Sequence, residues 1–134
     1  MAGPFPYIVD DLVHPAPGCP VIVSYDTGSR ALVAILDTGA DFTSIPIDLA
    51  NELALRPEGD IEVLGATGGQ GGPELQVIYL VNLEFPTIPQ LTVAAHPVLG
   101  GTGLAAREYV FIGRDILKKH HLALAGPKAE FFVD

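Results

Sequence analysis

The chain is expected to fold as a mostly β domain, a small barrel or sandwich of mainly antiparallel strands with one or two short helices. Three observations carry this expectation. Short apolar runs rich in β-branched residues, such as "VIVSY", "ALVAIL" and "YVFIG", recur at close spacing, a strand signal rather than a long helical face. Gly, Pro and Asp stand between those runs and supply turn chemistry. A length of 134 residues, 49% of them hydrophobic, suits one compact domain around one core.

The elements follow in chain order. Residues 1–20 hold Pro4, Pro6, Pro15, Pro17 and Pro20, which fix φ and withhold donors. They are read as an extended, irregular arm ahead of a single domain over residues 21–134. From Val21, "VIVSY" and "ALVAIL" flank "DTGSR" as the strands and turn of a β-hairpin. In "FTSIPIDLANELAL", Ile47, Leu49, Ala50, Leu53 and Ala54 fall near helical spacing, giving one short helix that starts at Pro46 or Ile47 and ends before Pro57. The stretch "DIEVLGATGGQGGPELQVIYLVNLEF" reads as a second hairpin whose tip carries five glycines between Gly65 and Gly72. Beyond it come a strand in "QLTVAAHPVL", a loop with Gly100, Gly101 and Gly103, the strand "YVFIG", and a short helix or turn in "RDILKKHHL". The tail "LALAGPKAEFFVD" reads as two short strands around a Gly-Pro turn.

Composition removes several function classes. Sixteen acids against seven bases give a formal charge of −9, which opposes phosphate backbones and anionic membranes, so neither is an expected partner. Cys19 is the single cysteine; it forms no intrachain disulfide, which points to a reducing, cytoplasmic setting. In the proline-rich arm it lacks the surroundings that would activate a nucleophilic thiol. The start "MAGPFPYIVDDLVH" has no basic segment followed by a long apolar stretch, and no run of eighteen apolar residues occurs, so no signal peptide or membrane span is expected. His14, His96, His120 and His121 show no metal spacing with acids or with Cys19, so they are read as surface or turn residues. No metal and no cofactor is expected.

The tripeptide Asp-Thr-Gly occurs twice, at residues 26–28 and 37–39. One copy arises by chance in a chain of this length on the order of a few per cent of the time, so context has to separate them. Asp26 sits where the first hairpin must turn. Asp37 ends an apolar run, at the inner end of a buried strand, where a carboxylate is costly to ionise unless donors surround it. Functional acids favour such places, although an Asx turn at a strand end uses the same residues. Gly39 permits a tight turn that aims backbone N–H groups at the carboxylate, and the Thr38 hydroxyl both donates and accepts.

In this context "ALVAILDTGAD", followed by a glycine-rich hairpin and then by "VFIGRDIL", resembles the retropepsin-like aspartic proteases, the single-domain relatives of retroviral proteases. The resemblance spans roughly residues 21–124 and is specific in the Asp37 loop and in "FIGRDIL". It implies a small closed acid-protease barrel and an aspartic endopeptidase acting as a homodimer on extended peptide. Asp37 of each subunit would be the catalytic residue, in a loop with Thr38, Gly39 and Ala40. Two close carboxylates share one proton, one partner serving as general base toward a water and the other as general acid, which predicts a bell-shaped pH profile.

By the same resemblance Thr38 would hydrogen-bond across the dimer, and Gly39 would offer its carbonyl to substrate. Asp41 and Arg114 match a pair that braces the active-site loop, or else form an ordinary surface salt bridge. Ile35 and Ile112 match pocket-lining positions, or else serve as core. Ala66, Thr67, Gly68, Gly69 and Gln70 fall on the flap that would close over a peptide by strand addition. A phosphate cradle there lacks the Gly-Lys-Ser/Thr sequence it needs, and a glycine loop without function is the plainer alternative. The loop from His96 to Arg107 departs from the short retroviral version. The two termini, with Phe131, Phe132 and Val133, could interleave between subunits. A peptide-binding or dimerisation module of this fold that does not cleave is the alternative function.

Overall fold

The computed structural model describes residues 1–8, 14–64, 73–101 and 109–134. Among these the fold is mostly β, with strands β1 (Ala2–Ile8), β2 (Ala16–Tyr25), β3 (Gly28–Leu36), β4 (Ser44–Pro46), β5 (Pro57–Leu64), β6 (Pro73–Glu84), β7 (Val93–Gly101), β8 (Tyr109–Ile112), β9 (Leu122–Ala125) and β10 (Glu130–Val133). Two short helices, α1 (Ile47–Glu52) and α2 (Arg114–Leu117), complete it with 3-10 turns at Pro89–Leu91 and Gly126–Lys128. No helix among the described residues is long and apolar enough to cross a membrane.

The strands run in the order β5-β6-β7-β4-β8-β3-β2-β1-β10-β9, and a further pairing of β6 with β2 turns the middle of the sheet back on itself. The expected clean closed barrel does not result. The three-residue β4 meets β8 at only one register pair, Ser44 with Phe111, and β1, β5, β9 and β10 lie outside the ring of pairings. Most ladders are antiparallel, but β3 with β8 and β4 with β7 are parallel.

Alternation builds the core. Residues of one parity on each strand face inward: Cys19, Val21 and Val23 on β2, Ala34 and Leu36 on β3, Tyr79, Val81 and Leu83 on β6, Val110 and Ile112 on β8, Phe131 and Val133 on β10. Phe85, Ile88 and Leu91 plug one end through the 3-10 turn, and Ile45, Leu49 and Ile116 another part of the same cluster.

The first hairpin is as expected: Tyr25 pairs with Gly28 across a two-residue turn, and Asp26 takes φ 52° there, a conformation that Asp tolerates better than most residues. Helix α1 and the strand pair of the tail also fall where the sequence places them.

Among the described residues of the first twenty, Ala2–Ile8 and the stretch from Ala16 are paired strand rather than an unpaired arm. β1 pairs with β10 and with β2, and β2 already begins at Ala16. Proline's fixed φ suits an extended strand, and each missing N–H costs only one ladder bond. Cys19 therefore lies in the core, and burial pushes its thiol up to about 12, which leaves it inert for a different reason than an unstructured arm would.

Candidate active site

The parallel pairing of β3 with β8 sets Leu36 beside Ile112, so the chain leaves both strands at the same end of the sheet. Asp37 N–H continues the ladder by donating to Ile112 O at 2.8 Å. The loop then turns tightly: Ala40 N–H donates to Asp37 O at 3.1 Å, and Gly39 N–H donates to the Asp37 carboxylate Oδ1 at 3.0 Å. Asp37 is half-buried at the end of the buried run Ala34, Ile35 and Leu36, while Thr38 and Gly39 are exposed. Among the described residues the Gly39 amide is the one hydrogen-bond donor to this carboxylate. One oxygen is thereby oriented, and Oδ2 has no hydrogen-bond partner among the described residues. An Asx turn would make the same Gly39 bond, so the bond fixes geometry without itself assigning a role.

Arg114 joins the loop to the start of α2. Its amide donates to Ala40 O at 2.9 Å and its Nη1 to Thr38 O at 2.6 Å, while Nη2 donates to Asp41 Oδ1. The structure thus brings Asp41 and Arg114 together, but the ion pair lies in water, with the two side chains 74% and 50% exposed. Such a pair contributes about 0–1 kcal/mol. The bond to the Thr38 carbonyl is what ties the guanidinium to the loop.

The two pocket candidates do not share a face. Ile112 is wholly buried beside Leu36 in the main core, whereas Ile35 pairs with Phe111 on the opposite face of the sheet. Because side chains alternate along a strand, the residue of β8 that accompanies Ile35 is Phe111. The hairpin of the candidate flap is formed by β5 and β6, in register from Gly59 opposite Ile78 to Leu64 opposite Pro73, with a shift of register between Pro57 and Gly59. Its tip, with Ala66, Thr67, Gly68, Gly69 and Gln70, lies outside the described residues, as does 102–108 of the loop after His96. The part from His96 to Gly101 is strand rather than loop.

A polar cluster behind the loop has no counterpart in the sequence reading. Thr43, fully buried, donates from its amide to Asp115 Oδ2 at 3.0 Å and from its hydroxyl to Asp115 Oδ1 at 2.8 Å. Its hydroxyl accepts the Gly113 N–H at 3.1 Å. His96 Nε2 lies 2.8 Å from Asp115 Oδ2, and Ile116 N–H donates to Oδ1 at 3.1 Å. His96 is therefore not the surface residue its sequence context suggests; its side chain is 17% exposed. Thr43 and Asp115 are 72 positions apart, and His96 and Asp115 19, separations that leave no local signal.

Burial alone would raise the Asp115 carboxyl, but the bonds from His96 and Thr43 outweigh it and hold the group below the usual carboxylate range. A carboxyl that binds its proton less tightly folded than unfolded stabilises the fold above the ordinary carboxylate range. That contribution is lost as pH falls through the folded-state value. The urea midpoint of wild type should accordingly exceed that of Asp115→Asn near about pH 6, and the gap should narrow toward about pH 3. A gap independent of pH would contradict the assignment.

Among the described residues no three of His, Cys, Asp and Glu come together as a metal site. No protein-family model matches the chain, and no curated protein matches it at a significant level of similarity.

Proposed function

We propose that the protein is an aspartic endopeptidase of the retropepsin-like type, in which Asp37 of two identical chains meets across a two-fold axis to hydrolyse extended peptide. The observation that carries this reading is the parallel register of β3 and β8, which holds a half-buried carboxylate at a strand end beside exposed Thr38 and Gly39. The chain offers one such loop, because Asp26 lies in the hairpin turn at the far end of β3. The second carboxylate then has to come from a second copy.

In the paired state the two carboxylates share a proton. The ionised one takes a proton from a water held between them, the water oxygen attacks the scissile carbonyl carbon, and the protonated one donates to the carbonyl oxygen. As the tetrahedral species collapses, the carboxyl that took the water proton gives it to the amide nitrogen, and the other carboxylate takes a proton back from the gem-diol. The C–N bond breaks to release the amine and a new carboxyl group. The Gly39 amide keeps Asp37 Oδ1 in a fixed direction throughout, so little reorganisation is needed. Apolar Ile35 and Phe111 are candidates for contact with substrate side chains, and the hairpin of β5 and β6 for covering the peptide. Exclusion of nucleic acid follows from the charge of −9. A cytoplasmic location belongs to the same reading, since the lone Cys19 forms no intrachain disulfide.

A non-cleaving peptide-binding or dimerisation module is the second reading, and one observation favours its peptide-binding form. Phe131 and Val133 face the core of their own chain through the pairing of β1 with β10, Phe131 packing on Phe5 at 5.4 Å between ring centroids. They do not stand free to exchange between subunits. Cleavage of a peptide library at graded protein concentration separates the readings. A two-chain site predicts a rate rising with the square of concentration while the protein is mainly monomeric, and a sedimenting dimer where activity saturates. Activity strictly proportional to the concentration of a monomer would refute it.

A further inference from the structure

We propose that His96 is a positioning residue for the Asp37 loop, acting through Asp115, Thr43 and Gly113. This rests on the reading of Asp37 as half of a catalytic pair.

The chain of contacts is continuous. His96 stands on β7, opposite Val81 of β6, and its Nε2 reaches Asp115 Oδ2 on α2. An ionised carboxylate only accepts, so Nε2 carries the proton in this contact. Asp115 also receives both donors of Thr43, and Thr43 in turn receives the amide of Gly113. The next amide, Arg114 N–H, donates to Ala40 O, and Ala40 N–H donates to Asp37 O. Two consecutive amides at the end of β8 are therefore committed to the segment that follows Asp37.

The position of that segment depends on how firmly Asp115 is held. Among the described residues Asp115 Oδ1 has two donors, Thr43 Oγ1 and Ile116 N–H, and Oδ2 has two, Thr43 N–H and His96. Without the imidazole, Oδ2 keeps a single donor at a site where both side chains are less than one-fifth exposed, and a poorly solvated carboxylate oxygen then turns to find another. Turning it draws Thr43 and Gly113 with it. The far side of Thr43 is fixed, its carbonyl accepting Leu99 N–H at 3.0 Å, so the displacement goes toward Ala40 and Asp37.

His96→Ala and His96→Gln test this together. The Gln amide keeps a donor for Asp115 without the ring. Amide hydrogen exchange at Thr43, Gly113, Arg114 and Ala40 should accelerate by about tenfold or more in His96→Ala relative to the β2–β3 hairpin, where exchange reports opening elsewhere, and His96→Gln should restore most of the protection. In peptide cleavage, kcat should fall about 10-fold to 100-fold in His96→Ala, as for a misplaced catalytic group, with KM within about twofold and recovery in His96→Gln. If His96→Ala does not fold, Asp115→Asn carries the same comparison against wild type.

Unchanged exchange at Arg114 and Ala40 in a folded His96→Ala protein overturns the proposal whatever the activity. An unchanged kcat does so as well, as does a loss in KM alone. Exchange that responds as expected in a chain whose wild type cleaves no peptide as a dimer refutes the peptidase reading, while the coupling from His96 to the loop stands.

Discussion

Asp37→Asn is expected to lower kcat for peptide cleavage by roughly 10²–10⁴-fold or more, the range for loss of a general acid–base group, while Asp26→Asn leaves it within about twofold. The two substitutions are the same change in the same tripeptide, so the difference reads position alone. Asp26 is exposed, sits in a two-residue turn and holds φ 52°, which Asn adopts with equal ease. At Asp37, Asn retains an oxygen able to accept the Gly39 amide, so the loop should keep its shape and the thermal midpoint should barely move. What disappears is the ability to exchange a proton with water and with the partner carboxylate. A folded Asp37→Asn protein that cleaves at the wild-type rate would end the peptidase reading; equal losses in both variants would return the question to the hairpin.

The second large effect is expected at Gly113. Its backbone, φ −90° and ψ −178°, is open to any residue, so the requirement is space. A Cβ built there would lie 2.6 Å from Phe42 C, 2.8 Å from Phe42 O and 3.0 Å from Ala40 O. All three are backbone atoms of the segment after Asp37, held by Arg114 N–H and by Thr43, and none is the end of a flexible side chain. Gly113→Ala should therefore destabilise by about 2–3 kcal/mol, the upper part of the range for overpacking, and should lose cleavage even where the protein is still folded. Gly126→Ala is the matched control: nothing lies within 4 Å of its Cβ position and its φ is unremarkable. Its stability should stay or rise slightly, by about 0.4–1 kcal/mol from the stiffer unfolded chain, with the urea midpoint moving in the same direction. Similar midpoints for the two variants would show that the contact between β8 and the loop is looser than the distances imply.

Elements whose information is local were legible in the sequence. The hairpin at Tyr25 and Gly28, helix α1 and the strands around Gly126 and Pro127 each follow from turn residues and a two- or near-four-residue apolar period. Partner choice was not legible. Nothing within "ALVAIL" or "YVFI" says that they pair with each other and in parallel, and the prolines of β1 hide a strand whose register is set by β10.

The same limit explains the site. The Asp37 loop is a contiguous string and could be read directly, whereas the match of Asp41 with Arg114, 73 positions apart, rested on the family resemblance alone. The face on which Ile112 lies depends on register with Leu36, and one position of shift exchanges it for Phe111. The cluster of His96, Asp115 and Thr43 joins three separate elements, and a histidine between Ala95 and Pro97 carries no mark of it.

The Asp37 loop is completed by a strand some seventy residues further on, Arg114 and Thr38 being 76 positions apart. Closing so large a loop costs entropy before any of its hydrogen bonds is gained, and contacts of such range slow folding. The hairpin of β2 and β3 forms from neighbours, yet it cannot by itself hold the aspartate in place. A ribosome-bound chain still lacking residues 109–134 would already display Asp-Thr-Gly twice, with the Asp37 loop not yet completed by β8 and Arg114. Completion of the loop therefore waits until synthesis has delivered the "VFIGRDIL" segment, a delay written into the order of the strands.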